Sequence, residues 1–215
     1  MKIRPVVMSV ASAIACLAVL TAAAPPPEPP RNESLGWITV GNQRYRPDEL
    51  ASSGLSASPP AGSPNSRLID FPQWVQCFTI NDSEMVIREY VHFWNGIPQT
   101  KRLRCGTAES FGYKHIRAEK EQLWQSRLNT ITPSGLFPNV SWDDLMNAAV
   151  ANALMVPDFA QDQSGGKRCL VIKMGFYNQY GVLLDAYDIR TIISLTNDRV
   201  ITAFPLRDGQ SYCSG

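Results

Sequence analysis

An α+β fold is predicted from residue 68 onward: an N-terminal β-hairpin and two or three helices packed on a C-terminal antiparallel sheet, held by two disulfides. Three observations predict it. Residues 84–94 (EMVIREYVHFW) alternate bulky and polar side chains, rich in β-branched and aromatic types, and run into the turn signal Asn95-Gly96. Residues 114–128 and 141–155 instead repeat apolar side chains at the spacing of a helix face. Strand-like runs then close the chain, so helices precede a sheet built from neighbouring strands.

Taken in order, the chain opens with Lys2 and Arg4, an apolar run over residues 6–20 and the small residues Thr21, Ala22, Ala23 and Ala24. That is the pattern of a secretory signal peptide, and Pro25 directs cleavage to the bond after Ala23, giving a signal over residues 1–23. Ala-Ile-Ala-Cys16 is a poor lipobox, and no later run approaches the roughly 20 apolar residues of a membrane helix. The expectation is a secreted protein with no stable membrane insertion. Residues 24–67 read as a Pro/Ser-rich spacer: prolines dominate 25–31, and 51–67 (ASSGLSASPPAGSPNSR) has Leu55 as its one sizeable apolar side chain. Within it, 37–46 (WITVGNQRYR) alternates around Gly41-Asn42 as a short hairpin, marginal alone, which must dock elsewhere or stay loose.

Residues 68–215 are enough for one domain with a proper core. The first hairpin returns over 99–105. Helix 114–128 sets Ile116, Leu123, Trp124 and Leu128 near one face, and helix 141–155 carries Ser141 and Asp144 at capping-box spacing with Pro157 just beyond. Strands are expected at 167–176, 189–195 and 200–204, the last two joined by a turn at Asn197-Asp198.

Of five cysteines, Cys16 falls in the signal, leaving Cys77, Cys105, Cys169 and Cys213 in an oxidising compartment with three possible pairings. The hairpin returns Cys105 toward Cys77, leaving Cys169 for Cys213. No Cys-x-x-Cys exists, so a metal is not expected. The 20 basic and 19 acidic residues, less Lys2 and Arg4, leave 18 against 19, a mature net of −1 that excludes a polybasic nucleic-acid binder. Locally, Lys101, Arg102, Arg104, Lys114, Arg117 and Lys120 face only Glu109 and Glu119, a segment able to hold a phosphate or simply a solvated basic face.

Two histidines limit imidazole chemistry. His92 lies in a strand between Val91 and Phe93 and reads as structural; His115 starts a helix after Ser110-Phe111-Gly112-Tyr113, between Lys114 and Arg117, where an anion could sit, although a capping or surface histidine has the same pattern. The run Leu103-Arg104-Cys105-Gly106, then Phe111-Gly112-Tyr113-Lys114-His115-Ile116, then a helix, with Ile201-Thr202-Ala203-Phe204-Pro205 closing the sheet, resembles small secreted actinobacterial proteins similar to the barnase/EndoU/colicin D/RelE class of RNase-fold toxin domains. The resemblance spans 78–205. It implies a helical layer on a curved antiparallel sheet, a substrate groove between them, His115 as the helix histidine and Thr202 as the polar strand residue. The chain departs from that class at Ala118-Glu119-Lys120, where a further histidine is common.

Metal-independent RNA cleavage needs a base, an acid and a cation for the developing charge. The catalytic candidates are His115, with Thr202 and Arg190 as donors from the sheet; Lys114, Arg117 or Lys120 would bind phosphate, and Glu119 is a possible second base. No cofactor is implied. Serine-hydrolase, zincin and phosphate-loop motifs are absent from the sequence. The competing expectation is a non-catalytic, disulfide-stapled module that binds an extracellular protein, peptide or glycan through Tyr90, Phe93, Trp94, Phe176, Tyr177 and Tyr180.

Overall fold

The computed structural model describes residues 35–53 and 68–213, all within the compact unit Asn32–Gly215. The signal sequence, the proline run at 25–31 and most of the 51–67 tract lie outside the described residues. The fold is α+β. Strands β1 (Trp37–Val40) and β2 (Gln43–Tyr45) lead into helix α1 (Pro47–Ser53), and the short helix α2 (Phe71–Trp74) runs into a π-turn at Val75–Thr79. Hairpin β3 (Val86–Trp94) and β4 (Ile97–Arg104) precedes the helices α3 (Gly112–Ile131) and α4 (Trp142–Met155). Strands β5 (Phe159–Gln163), β6 (Lys167–Tyr177), β7 (Leu183–Ser194) and β8 (Val200–Pro205) complete the chain.

The larger sheet is antiparallel with the order β2-β1-β6-β7-β8. One edge of β6 is divided: β5 pairs along 167–171 and β1 along 174–177. Within the expected spacer at 24–67, this corrects the reading over 37–45, where the possible short hairpin docks on β6. The hairpin at 37–46 forms and is part of the core, with Ile38 and Val40 both fully buried. Its alternation buries two aliphatic side chains that a free hairpin would leave in water. Residues 37–45, in a stretch that looks poor in apolar content, are therefore integral to the fold.

Helix α4 is the centre of the core. Ser141 caps it with a reciprocal box, its hydroxyl accepting from Asp144 N at 3.3 Å while Asp144 accepts from Ser141 N at 2.9 Å. Asp143 is wholly buried and accepts from Leu68 N, Tyr113 Oη and Ser141 Oγ, so its charge is met by donors on three segments. Helix α3 covers the free edge of β8: Trp124 Nε1 donates to Ala203 O at 3.0 Å and Arg127 Nη2 to Leu206 O at 3.2 Å.

The β3–β4 hairpin forms its own two-stranded sheet, turned by Asn95 and Gly96 at positive φ. Tyr90 Oη donates to Asn147 Oδ1 (2.8 Å) and His92 Nδ1 to Leu154 O (2.7 Å), fastening it to α4. The loop into α3 closes tightly. Gly106 and Gly112 both have positive φ, and a Cβ on Gly106 would lie 1.7 Å from Phe111 O. The bridges are Cys77–Cys105 and Cys169–Cys213, with Cα separations of 5.5 and 5.8 Å. The second pins the tail to β6 and forms a satellite core with Val171, Ile192 and the half-buried Ile201.

Two further differences from the sequence expectation have simple causes. Strand β7 begins at Leu183 rather than 189, and β5 was not expected, because both stretches carry exposed residues beyond the core and so lack an alternating pattern. Helix α3 runs from 112 to 131, longer at both ends than the apolar spacing indicates.

Candidate functional site

The expected site residues divide into three groups. On the first turns of α3, His115 donates from Nδ1 to Ala108 O at 2.9 Å and lies 3.9 Å from Glu119. Lys114 bonds Asn81 and stands 5.4 Å over the Phe78 ring. Arg117 pairs with Glu121 at 3.3 Å and covers both Trp74 and Phe78. These two cations thus shield the aromatic surface of the π-turn and have protein partners.

Arg190 and Thr202 form the second group, on β7 and β8. In the β6–β7–β8 register, Thr202 is opposite Ile192, itself opposite Cys169; Arg190 is opposite both Val171 and Phe204. Strand alternation therefore sets Thr202 and Arg190 on the face of the Cys169–Cys213 satellite core, away from the face on which Ile189, Ile193 and Ala203 meet the main core. Arg190 is buried, donates from Nε to Tyr212 O at 2.6 Å and from Nη2 to Ser211 O, and burial pulls its guanidinium below the ordinary value. Thr202 Oγ1 is buried with no partner among the described residues. No hydrogen bond or ion pair among the described residues joins His115 to either side chain.

The third group converges. Lys120 Nζ lies 5.0 Å and the Arg190 guanidinium 5.4 Å from the centroid of the Phe204 ring. Beside it, Lys120, Leu123, Phe204 and Arg207 line an open groove of about 470 Å³, with residues 208–210 as its far wall. Lys120 is held at 3.2 Å by Glu119, and Asp208, fully exposed, lies 3.8 Å from Arg127. An aromatic and aliphatic floor flanked by cations suits a carboxylate carried on an apolar stem.

The six aromatics expected to form one binding face do not share one. Tyr90 and Phe176 are buried, Trp94 lies beneath Arg168 at 3.4 Å, and Tyr177 stacks on Trp37. Phe93 is exposed on β3 and Tyr180 in the turn between β6 and β7. His92 is structural, as its strand context suggests: desolvation lowers its pKa, Arg168 and Lys101 add to that, and its Nε2 is buried without a partner among the described residues.

Lys101 was expected only as part of a basic face. It is buried, donating to Ser194 O (2.7 Å) and Asn197 O (2.8 Å), and so ties the hairpin to the β7–β8 turn. Sequence reasoning also missed Phe204 and Arg207 as site residues; the available signal was an aromatic at alternate spacing from Thr202 on a terminal strand. No described helix is long and apolar enough to cross a membrane. Among the described residues no group of three or more His, Cys, Asp or Glu is arranged to hold a metal ion. Compared with protein-family models, curated proteins and solved structures, the chain matches none.

Proposed function

We propose that this chain is a secreted, non-catalytic binding module, stapled by its two disulfides, that takes an acidic segment of an extracellular protein in the groove beside Phe204. The observation that carries the reading is the convergence of Lys120 and Arg190 on the Phe204 ring, next to Arg207. Cleavage of RNA would require His115, Thr202 and a cation around one phosphate. His115 is bonded to the loop at Ala108, whereas Thr202 is buried on the face of the Cys169–Cys213 bridge, which favours binding over that chemistry.

The probe is an oligo-glutamate peptide titrated calorimetrically against the oxidised full chain. Lys120→Ala with Arg207→Ala is expected to weaken binding by about tenfold or more, since a hydrogen bond to a charged group is worth roughly 1.5–3 kcal/mol. Rising salt should weaken it further. Metal-free RNA cleavage that disappears in His115→Ala would overturn the reading and restore the ribonuclease one.

A further inference from the structure

We propose that the β6–β7 turn is a lipid-surface anchor: Tyr180, Val182, Leu183 and Leu184 enter the headgroup–acyl boundary of an anionic membrane surface, with Trp37 and Tyr177 at the interface and Arg44 meeting lipid phosphate. None of these residues lines the Phe204 groove, and the proposal is independent of the acidic-segment reading.

The tip is apolar where a water-facing turn is ordinarily polar. Tyr180 is 81% exposed, Val182 57%, Leu183 52% and Leu184 43%, and Gly181 is the only other residue in the run. The strand pairing explains why these side chains stay uncovered. Strand β1 pairs with β6 no further than Trp37 opposite Tyr177, and β8 pairs with β7 no further than Pro205 opposite Ile189, so the end of the β6–β7 ribbon extends past both neighbours. A register shift beside Tyr177 leaves Leu184 as an extra, unpaired residue at that end. A contiguous exposed patch of this kind marks a docking surface.

The backbone of the turn points to lipid as the occupant. Asn178 N donates to Val182 O at 3.0 Å and Gly181 N to Asn178 O at 3.1 Å, while Asn178 Oδ1 accepts from Tyr180 N at 2.9 Å and from Val182 N at 3.0 Å. The N–H groups of Asn178, Tyr180, Gly181 and Val182 are thus satisfied inside the turn. An apolar phase demands this, since it offers no hydrogen-bond partners, whereas a protein partner that adds a strand draws its affinity from free main-chain groups.

The base of the turn carries the groups of a membrane interface. Trp37 and Tyr177, both half-buried, stack with centroids 5.7 Å apart. Gly181, at φ +85°, brings the turn against the indole: a Cβ built there would lie 3.6 Å from Trp37 Cη2. Such amphipathic rings favour the headgroup level. The exposed Arg44 guanidinium sits over Trp37, 3.6 Å from the ring centroid, with no carboxylate partner among the described residues. Its charge complements a lipid phosphate. Asp185, the acid that follows the tip, accepts from Ala186 N and from Thr130 Oγ1 of α3 and so is engaged away from Arg44.

The test is co-sedimentation of the oxidised full chain with phosphatidylserine–phosphatidylcholine vesicles and with phosphatidylcholine vesicles. Binding is expected to both, tighter to the mixed ones. Leu183→Ser with Leu184→Ser should weaken it by about tenfold or more, because membrane affinity scales with the apolar area that enters the boundary. Arg44→Gln should lose about fivefold on the mixed vesicles, the worth of one basic residue near an anionic surface, and nothing on the neutral ones. Val91→Ser with Phe93→Ser, which removes exposed apolar side chains from β3 instead, should change neither. The leucine variant is expected to keep the natural chain's urea midpoint and its response to oligo-glutamate; should its midpoint fall, Tyr180→Ser, at the most exposed position of the turn, takes its place. No binding to either vesicle overturns the anchor, as does binding that the leucine variant retains in full or that the Val91/Phe93 variant weakens equally. Self-association of the chain that the leucine variant abolishes, without vesicle binding, overturns it in favour of a contact between copies.

Discussion

Replacing Ile38 by alanine tests whether the N-terminal hairpin is structural. Ile38 is fully buried, opposite Phe176 of β6 and Tyr45 of β2. The change removes three carbons; at about 0.8 kcal/mol per buried CH₂ that is roughly 2.4 kcal/mol before any cavity term, and comparable core truncations cost about 2–5 kcal/mol. We expect about 3 kcal/mol, equivalent to a fall in Tm of roughly 6–12 °C for a domain of this size. The assay is urea unfolding under oxidising conditions, with the midpoint moving and the slope unchanged. Gln43→Ala, exposed on the same hairpin, should stay within about 0.5 kcal/mol. An Ile38→Ala loss no larger than that of Gln43→Ala would show that β1 is a spacer and that its docking contributes nothing to stability.

Other outcomes follow from the same contacts. His92 is held neutral, its folded pKa lowered mainly by desolvation; the unfolded state therefore binds the proton more readily. Stability should be intact above the unfolded value of about 6.5 and fall as pH drops below it, and His92→Gln should show a smaller fall between pH 7.5 and 5 in matched unfolding curves. Removing Cys77–Cys105, whose sequence separation is 28 residues, as a double serine variant should cost about 3–4 kcal/mol on the chain-entropy account, read from the urea midpoint. Glu119→Gln frees Lys120 of its neighbour and should tighten oligo-glutamate binding; unchanged affinity would show that Lys120 does not contact the peptide. Burial alone would raise the Asp198 pKa, but the hydrogen bonds and charges of Arg102 and Arg104 outweigh it and hold it below the usual carboxylate range. Asp198→Asn should accordingly lose stability near pH 7 and converge with the natural chain as acid protonates Asp198.

How much was legible in the sequence depended on how local the controlling interaction is. The Ser141–Asp144 capping box, the Asn95-Gly96 turn and the hairpin that returns Cys105 to Cys77 involve neighbours in sequence or in one hairpin, and each was readable from spacing. Strand β5 and the start of β7 were not, because an exposed strand on a shared or extended edge carries no burial pattern. Lys101 shows the converse: its charge suggested solvent, while distant carbonyls at Ser194 and Asn197 supply its bonds.

The sequence by itself determined the α+β class, the helix and hairpin positions and the plausible disulfide pairs, since these follow from periodicity, turn chemistry and cysteine parity. Only the tertiary structure decided that Ile38 and Val40 enter the core, and that Arg190 and Thr202 share a face with the Cys169–Cys213 bridge. Which residues gather around Phe204 depends on the register of β7 with β8 and on the seat of α3 along the sheet edge. A one-residue slip in that register would turn every β8 side chain to the other face, and the register is specified by core burial summed over the whole sheet, not by any motif a short window of sequence contains.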